Sequence, residues 1–196
     1  MRRPTRDRIL DAATDLFGMR GVEAVSLDVI AAEVGVAKQT LLYWFPSKDD
    51  LVLAVLVAAV EQLTLVVEAA IRATSDDPLD RVDAVVRAVF RPAVRRPALL
   101  GLVREVGRLP STAGERLVAE LQPLVRRAEA WFAAEMEAGR LRRADPQLIV
   151  SLCYATVTGI ATEPEALRAV GWRADTAGLR HLRSELLTFL RAALAP

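Results

Sequence analysis

The sequence predicts an all-α protein, and three observations lead to that class. Apolar residues recur at three- and four-residue spacing through most of the 196 residues, and no segment alternates as a half-buried strand would. Hydrophobic residues make up 53% of the chain, enough for a well-packed core. Residues typical of helix starts and helix ends separate the periodic segments. We expect about nine helices.

Short helices are predicted near the N-terminus. An apolar stripe behind Thr5 forms the first, and Gly18 and Gly21 are expected to end it. Ser26 caps a second helix with its side chain. Gly35 ends that second helix, because glycine tolerates the left-handed backbone of a tight turn.

A third helix, from about Lys38 to Trp44, completes a helix-turn-helix pattern with the second. Ala31 supplies the small side chain needed where the two helices cross. The positions expected to face the small core are all apolar: Ile30, Val34, Val36, Leu41 and Trp44. The positions left outward include a cation, an amide and a phenol, a set suited to a major groove: Ala37, Lys38, Gln39, Leu42 and Tyr43.

Longer helices are predicted after this motif. Ser47 and Asp50 form a capping pattern ahead of an apolar helix that reaches about residue 73. Asp145 is read as a cap and Pro146 as a first-turn proline. Pro123 is expected to kink or split its helix. The remaining helices are expected near 79–94, 97–107, 115–138, 146–162 and 176–193, with a loop at 109–114.

Composition excludes several classes of protein. The net charge of +1 gives no global attraction to nucleic acid, so any such surface must be local. One cysteine, Cys153, excludes a disulfide framework, and a single His181 leaves little for a metal site. No secretory signal pattern begins the chain, and the longest apolar run, 51–60, is about half a membrane span. We expect a cytoplasmic protein with no membrane, metal or cofactor.

The N-terminal stretch TRDRILDAATDLFGMRGVEAVSLDVIAAEVGVAKQTLLYWFPSKDDL, residues 5–51, resembles the DNA-binding domain of the TetR family of bacterial transcriptional regulators. The resemblance implies a homodimer with an N-terminal three-helix DNA-binding domain. A long helix would join it to a larger helical domain that dimerises and binds a small effector. We expect the first domain at 1–48 and the second at 49–196, with double-stranded DNA carrying a palindromic operator as partner.

The resemblance also implies roles for single residues. Lys38, Gln39 and Thr40 begin the recognition helix, where side chains reach base edges or nearby phosphates. Ser26, Tyr43 and Lys48 match positions close to the DNA backbone. A basic arm is a further possibility: Arg2, Arg3 and Arg6. Structural alternatives to these DNA-binding roles stay open. Tyr43 would then pack in the core, and Gln39 and Lys48 would be ordinary solvated residues.

Two positions depart from the family pattern. Ala37 stands where Ser or Thr is common, so the recognition helix lacks a side-chain cap, typically worth ~1 kcal/mol. Leu42 replaces a frequent tyrosine, which removes a phosphate hydrogen bond but offers an apolar tip to a thymine methyl.

The larger domain is less informative. Helical placement makes four residues candidates for lining an effector cavity: Phe90, Arg104, Trp131 and Tyr154. A leucine stripe in the last helix, paired with 146–162, suggests a four-helix dimer interface: Leu179, Leu182, Leu186, Leu187 and Leu190.

Two functions follow from the sequence. The first is a repressor released from its operator by a small molecule. The alternative is an all-helical enzyme or carrier with an interior pocket, for which His181 and Cys153 offer no evident catalytic partner.

Overall fold

The computed structural model describes residues 3–95, 111–162, 168–173 and 175–196. Eight α-helices and no strand occur in these ranges, which confirms the all-α class. The helices are α1 Thr5–Arg20, α2 Leu27–Val34, α3 Lys38–Trp44, α4 Lys48–Arg72, α5 Pro78–Arg95, α6 Ser111–Glu137, α7 Pro146–Thr162 and α8 Thr176–Leu194. The helix predicted at 97–107 lies outside the described residues.

Three helix caps that the sequence predicted are present in the structure. The Val29 backbone N–H donates to Ser26 Oγ at 3.3 Å. The Asp50 N–H donates to Ser47 Oγ at 3.0 Å, and that hydroxyl donates in turn to Asp50 Oδ2 at 2.6 Å. Asp145 Oδ1 accepts from the first-turn N–H of Gln147 at 2.9 Å. These bonds satisfy helix-start donors that have no partner within the helix.

Two helix boundaries differ from the prediction. Helix α1 continues through Gly18 and ends before Gly21, whose φ is 79°. Leu16 and Phe17 are buried beside Gly18, and their packing holds a turn that glycine alone would weaken. Helix α6 begins at Ser111, so residues 111–114 are helical rather than loop.

Pro123 lies inside α6, so of the two outcomes expected from the sequence, a kink or a split, the split is wrong. An interior proline removes one backbone hydrogen bond and costs about 3 kcal/mol. Leu117 is buried before the proline and Phe132 after it. Burial of the two segments offsets the local cost, so the helix is continuous.

The chain divides into two compact units. The first contains residues up to Glu61 together with 96–120, and the second contains Gln62–Arg95 and Leu121–Pro196. Helix α4 contains the division between Glu61 and Gln62. The boundary expected at residue 48 separates two functional domains rather than two compact units, and it remains a prediction.

The core of the first unit joins α1, α2 and α3. Ile9, Phe17 and Ile30 are fully enclosed, and Leu41 is the contribution of α3. Arg8 Nη2 donates to the carbonyl oxygen of Val34 and so ties α1 to the end of α2. The three short helices therefore stabilise one another, because helices of this length are marginal alone.

Trp44 is not a core residue, which corrects the expectation from the sequence. Its side chain is 43% exposed, whereas Phe45 is buried. Helix α3 ends at Trp44, and Phe45 has extended backbone angles of φ −136° and ψ 95°. Extension at this position turns the Phe45 ring into the core, where Leu41 one turn earlier already points. Val36, also expected to face the core, is half-buried.

The first half of α4 is packed in the first unit, with Leu51, Val55 and Leu56 buried. Within the part of the chain that the structure describes, this helix of 25 residues is the one long and apolar enough to cross a bilayer. A buried helix of a soluble protein meets the same criterion, so this finding alone does not indicate a membrane protein.

The leucine stripe of α8 packs inside the second unit, mainly against α5. Leu179, Leu186 and Leu190 are buried within the single chain, while the other two stripe leucines are half-buried. Three of the five stripe leucines are therefore covered within the single chain, and the dimer interface that the sequence suggested stays a prediction. Periodicity shows that a face is apolar, but it does not show which neighbour covers it.

A charged network also joins α5 to α8. Arg191 Nε donates to Asp83 Oδ2 at 2.9 Å, and Arg191 Nη2 donates to Asp80 Oδ1 at 2.8 Å. Asp83 is only 5% exposed, and Arg87 Nη2 lies 3.2 Å from the same Oδ2 atom. The hydrogen bond from Arg191 lowers the pKa of Asp80.

Replacing Arg191 with glutamine is expected to lower the Tm at pH 7 by about 3–6 °C, since Asp83 loses one of its charged partners. The ionised Asp80 carboxylate stabilises the fold fully at pH values above its unfolded pKa of about 3.9. This stabilisation is lost as the pH falls through the lower pKa of the folded state. The Tm difference from wild type should therefore narrow below about pH 4. Circular dichroism melts between pH 7 and pH 3 measure it.

Arg72→Gln is the matched control, because Arg72 has a 69% exposed side chain and pairs with Glu68 at 3.7 Å. Such a pair is worth little, so its Tm should stay near wild type at every pH. Equal Tm losses in both variants would contradict a special role for Arg191.

Candidate nucleic-acid interface

The first turn of α3 presents three polar side chains to solvent. Lys38, Gln39 and Thr40 are exposed there, and Tyr43 one turn later is 78% exposed. Leu42 is half-buried, so its apolar tip is only partly accessible. Ala37 precedes the helix and makes no side-chain cap, as the sequence predicted.

The turn before α3 has the geometry that the sequence required. Gly35 is left-handed, with φ 71° and ψ 44°, and its N–H bonds back to the end of α2. Ala31 is 3% exposed, and its carbonyl accepts the Val36 N–H at 2.9 Å. A residue with a Cβ is strained in this conformation. The turn therefore fixes the direction in which α3 leaves α2.

Lys38 is held by an acid that sequence analysis did not select. Its Nζ lies 2.8 Å from Asp28 Oδ2, and the two side chains are 50% and 64% exposed. Asp28 belongs to the first turn of α2, where an acidic residue is common because the helix dipole favours it. Nothing in the sequence distinguished this acid from an ordinary helix-start residue.

Ser26 and Lys48 stand at the starts of α2 and α4. Lys48 Nζ lies 3.5 Å from the carbonyl oxygen of Glu23, and its side chain is half-buried. Unpaired amides at a helix start attract anions. A lysine and a hydroxyl at two such starts form a suitable surface for phosphate groups.

Aromatic side chains cover the end of α3. The rings of Tyr43 and Trp44 meet edge to face with centroids 5.3 Å apart, and both are exposed. Arg6 lies over the Phe45 ring at 5.6 Å, and Arg3 pairs with Asp11 at 2.6 Å. Two residues of the predicted basic arm therefore have partners in the first unit, and Arg2 lies outside the described residues.

The candidate effector residues have different environments in the second unit. Phe90 is 3% exposed, whereas Tyr154 on α7 is 58% exposed. Trp131 is half-buried, and its ring meets Phe132 with centroids 4.9 Å apart. The Trp131 Nε1 atom is buried, and no residue in the described ranges accepts a hydrogen bond from it. Arg104 lies outside the described residues, and the shared lining of a cavity by these four remains a prediction.

Catalysis or metal binding would depend on the His, Cys, Asp and Glu side chains. In the described ranges, no group of three or more His, Cys, Asp or Glu residues is placed to hold a metal ion. Burial raises the pKa of the Cys153 thiol. A nucleophilic cysteine requires the opposite shift. His181 is exposed on α8.

Comparison with known proteins decides the family. Residues 9–55 match the model of bacterial regulatory proteins of the tetR family. The HTH-type transcriptional regulator RutR of Escherichia coli K12 is 30% identical over 166 residues, covering 83% of this chain and 76% of RutR. The chain belongs to the TetR family. This TetR-family member is a DNA-binding transcriptional regulator, as the helix-turn-helix pattern predicted.

Further relatives extend the comparison. The HTH-type transcriptional activator FasR of Mycolicibacterium smegmatis is 41% identical over 85 residues, 43% of this chain and 38% of FasR. A putative regulator from Saccharomonospora viridis, solved with choline, has a TM-score of 0.80 at 20% identity, covering 97% of each chain. AibR, solved with isovaleryl coenzyme A and operator DNA, has a TM-score of 0.75 at 19% identity over 95% of this chain and 97% of AibR. These two structural likenesses establish the fold of the TetR-family chain.

Proposed function

We propose that this regulator is a repressor that binds a palindromic operator as a homodimer and is released by a small-molecule effector. The observation that carries the proposal is the exposed first turn of α3, held on a turn whose Gly35 and Ala31 fix its direction. FasR is named an activator, so the direction of regulation needs its own test. A footprint on adjacent intergenic DNA, with a reporter assay with and without the regulator, provides it. A rise in expression when the regulator is added would contradict repression.

The proposed DNA contacts are of two kinds: contacts to base edges, which read the sequence, and contacts to the backbone, which position the protein. Lys38, Gln39, Thr40 and Leu42 would reach base edges from α3. Ser26, Tyr43 and Lys48 would contact the backbone, since phosphate contacts set register and base contacts set sequence preference. The residues up to 48 would form the DNA-binding domain, and 49–196 the effector and dimerisation domain, inside the cytoplasm.

Lys48→Ala is expected to weaken binding to all duplexes alike and to reduce the slope of log affinity against log salt by about one, because one phosphate contact is lost. Gln39→Ala should leave that slope nearly unchanged. Its cost should be roughly 1–3 kcal/mol of discrimination at one base position per half-site, where the amide pairs with an adenine edge. Salt titrations on operator and random duplex measure both effects.

The two variants are controls for each other, since both remove a polar side chain from the same unit. Equal weakening of both duplexes by Gln39→Ala would show that Gln39 does not read the operator. Wild-type behaviour in both variants would place the DNA-binding surface elsewhere.

The dimer interface would use apolar residues that the single chain leaves exposed. Leu148 and Leu152 lie one turn apart on α7 and are 54% and 52% exposed, and Phe189 on α8 is 65% exposed. Exposed leucines at four-residue spacing form a stripe that a second helix covers well. A two-fold dimer then requires two operator half-sites about one helical turn apart.

Leu152→Glu is expected to convert the dimer to a monomer at micromolar concentration, because a carboxylate would be buried at the interface. Operator affinity should fall by at least about tenfold, since two linked half-site contacts become independent. Light scattering after size exclusion measures the first effect and gel-shift titration the second.

Leu65→Glu is the matched control, because Leu65 on α4 is 60% exposed and lies outside the proposed interface. This variant should stay dimeric. A dimeric Leu152→Glu variant would contradict the interface on α7.

The effector would place an apolar part in the second unit and a hydrogen-bond acceptor near Trp131. A buried indole N–H without a partner costs about 1–3 kcal/mol, and an acceptor on the ligand would remove that cost. Pockets of this kind combine apolar walls with few polar groups. AibR and the Saccharomonospora viridis regulator were solved with isovaleryl coenzyme A and choline, so acyl-CoAs and quaternary amines are suitable first probes.

Trp131→Phe is expected to keep operator binding and to weaken release by an effective probe by roughly tenfold, because a smaller aromatic ring remains but the N–H donor is lost. Operator release is followed by fluorescence anisotropy against probe concentration. Unchanged release would exclude the indole N–H as the donor.

The enzyme or carrier alternative has little support. The relatives compared are regulators, and the raised pKa of the Cys153 thiol does not suit a nucleophile.

A further inference from the structure

The feature that the proposed function leaves unexplained is the Asp28–Lys38 pair. Lys38 begins α3, where the proposed function needs a free cation, yet its Nζ lies 2.8 Å from Asp28 Oδ2. Asp28 and Lys38 belong to different helices of the motif, α2 and α3. The pair therefore places a carboxylate beside the end of α3 that would enter the groove.

We propose that Asp28 restrains Lys38 on random DNA and releases it on the operator, and so sets the ratio between specific and non-specific affinity. This inference rests on the proposed placement of DNA against α3. Asp28 would be a positioning residue that acts through Lys38 and does not itself read a base.

The energies of the competing contacts support this role. Non-specific binding depends on attraction between cations and phosphates, with each neutralised phosphate steepening the salt dependence. A carboxylate in contact competes well with a phosphate held farther away, because Coulomb attraction falls with distance. On random DNA, a closed pair removes one cation from the phosphate-binding set.

On the operator the balance changes. Both side chains of the pair are at least half exposed, and exposed ion pairs are weak and easily opened. Close docking of α3 in the groove brings a guanine edge or a phosphate to Lys38, and such a contact replaces the carboxylate. The Asp28–Lys38 ion pair therefore stays formed when α3 is loosely bound to random DNA, and it opens when α3 docks tightly on the operator.

Asp28→Asn keeps the shape of the side chain and removes its charge. Random-duplex affinity at 0.1 M salt should rise on the order of eightfold, and its log–log salt slope should steepen by about 0.9, the effect of one added phosphate contact. Operator affinity should rise by less than about twofold, so the specificity ratio falls.

Glu33→Gln is the matched control. Glu33 is exposed on the same helix, and five residues place it about 140° around the helix from Asp28. The net charge changes equally in both variants, so Glu33→Gln should leave random-duplex affinity near wild type. Thermal melts of both variants verify that the fold is intact.

A second comparison tests whether Asp28 acts through Lys38. In a Lys38→Gln background, Asp28→Asn should change random-duplex affinity by less than about twofold, because there is no cation left to release. A full eightfold gain in that background would mean general repulsion of phosphates and would overturn the proposal. Loss of preference at a single C·G pair, with random binding unchanged, would mean that Asp28 reads cytosine, and would also overturn it.

The outcomes separate this inference from the proposed function. If the wild-type protein shows no salt-dependent affinity for any duplex, the DNA-binding surface itself is wrong. If wild type binds DNA and Asp28→Asn behaves as Glu33→Gln does, only the role of Asp28 is wrong.

Discussion

The left-handed turn at Gly35 is the constraint on which the DNA-binding surface depends. It joins α2 to α3 over so few residues that the two helices must pack closely, and the small, buried Ala31 side chain permits that packing. Helix α3 has only seven residues and would not be stable alone. Its direction and its order both come from this turn and from Leu41 and Phe45 in the core. Every proposed contact with a base or phosphate from α3 follows from that attachment.

Local chemistry was the part of the fold that the sequence predicted well. The caps at Ser26, Ser47 and Asp145 and the turn at Gly35 depend on a residue and its near neighbours, so the printed sequence contains all the information. The sequence left open whether Pro123 kinks or splits α6, because tertiary burial on both sides of the proline decides whether the local cost is offset. Helix propensities along the sequence do not include the free energy of that tertiary burial.

The same distinction applies to the candidate site. Exposure of Lys38, Gln39 and Tyr43 followed from helical periodicity, and the structure agrees. Trp44 was misplaced because extended backbone at Phe45, not the helical period, decides which ring enters the core. The Asp28–Lys38 contact joins residues of different helices, and three leucines of the α8 stripe are buried on the helix that packs against α5. These three features depend on which helices pack against each other. A pattern of residues along the sequence does not specify that packing.

The separation between buried and exposed positions on α3 has an evolutionary consequence. Leu41 and Phe45 support the fold, while Lys38, Gln39 and Thr40 are exposed. Exposed substitutions away from caps and networks usually change stability by less than about 0.5 kcal/mol. A duplicated gene would therefore be free to vary these three positions and acquire a new DNA target without first losing a folded protein. New regulatory circuits can arise from such a scaffold by single substitutions, each passing through a stable intermediate.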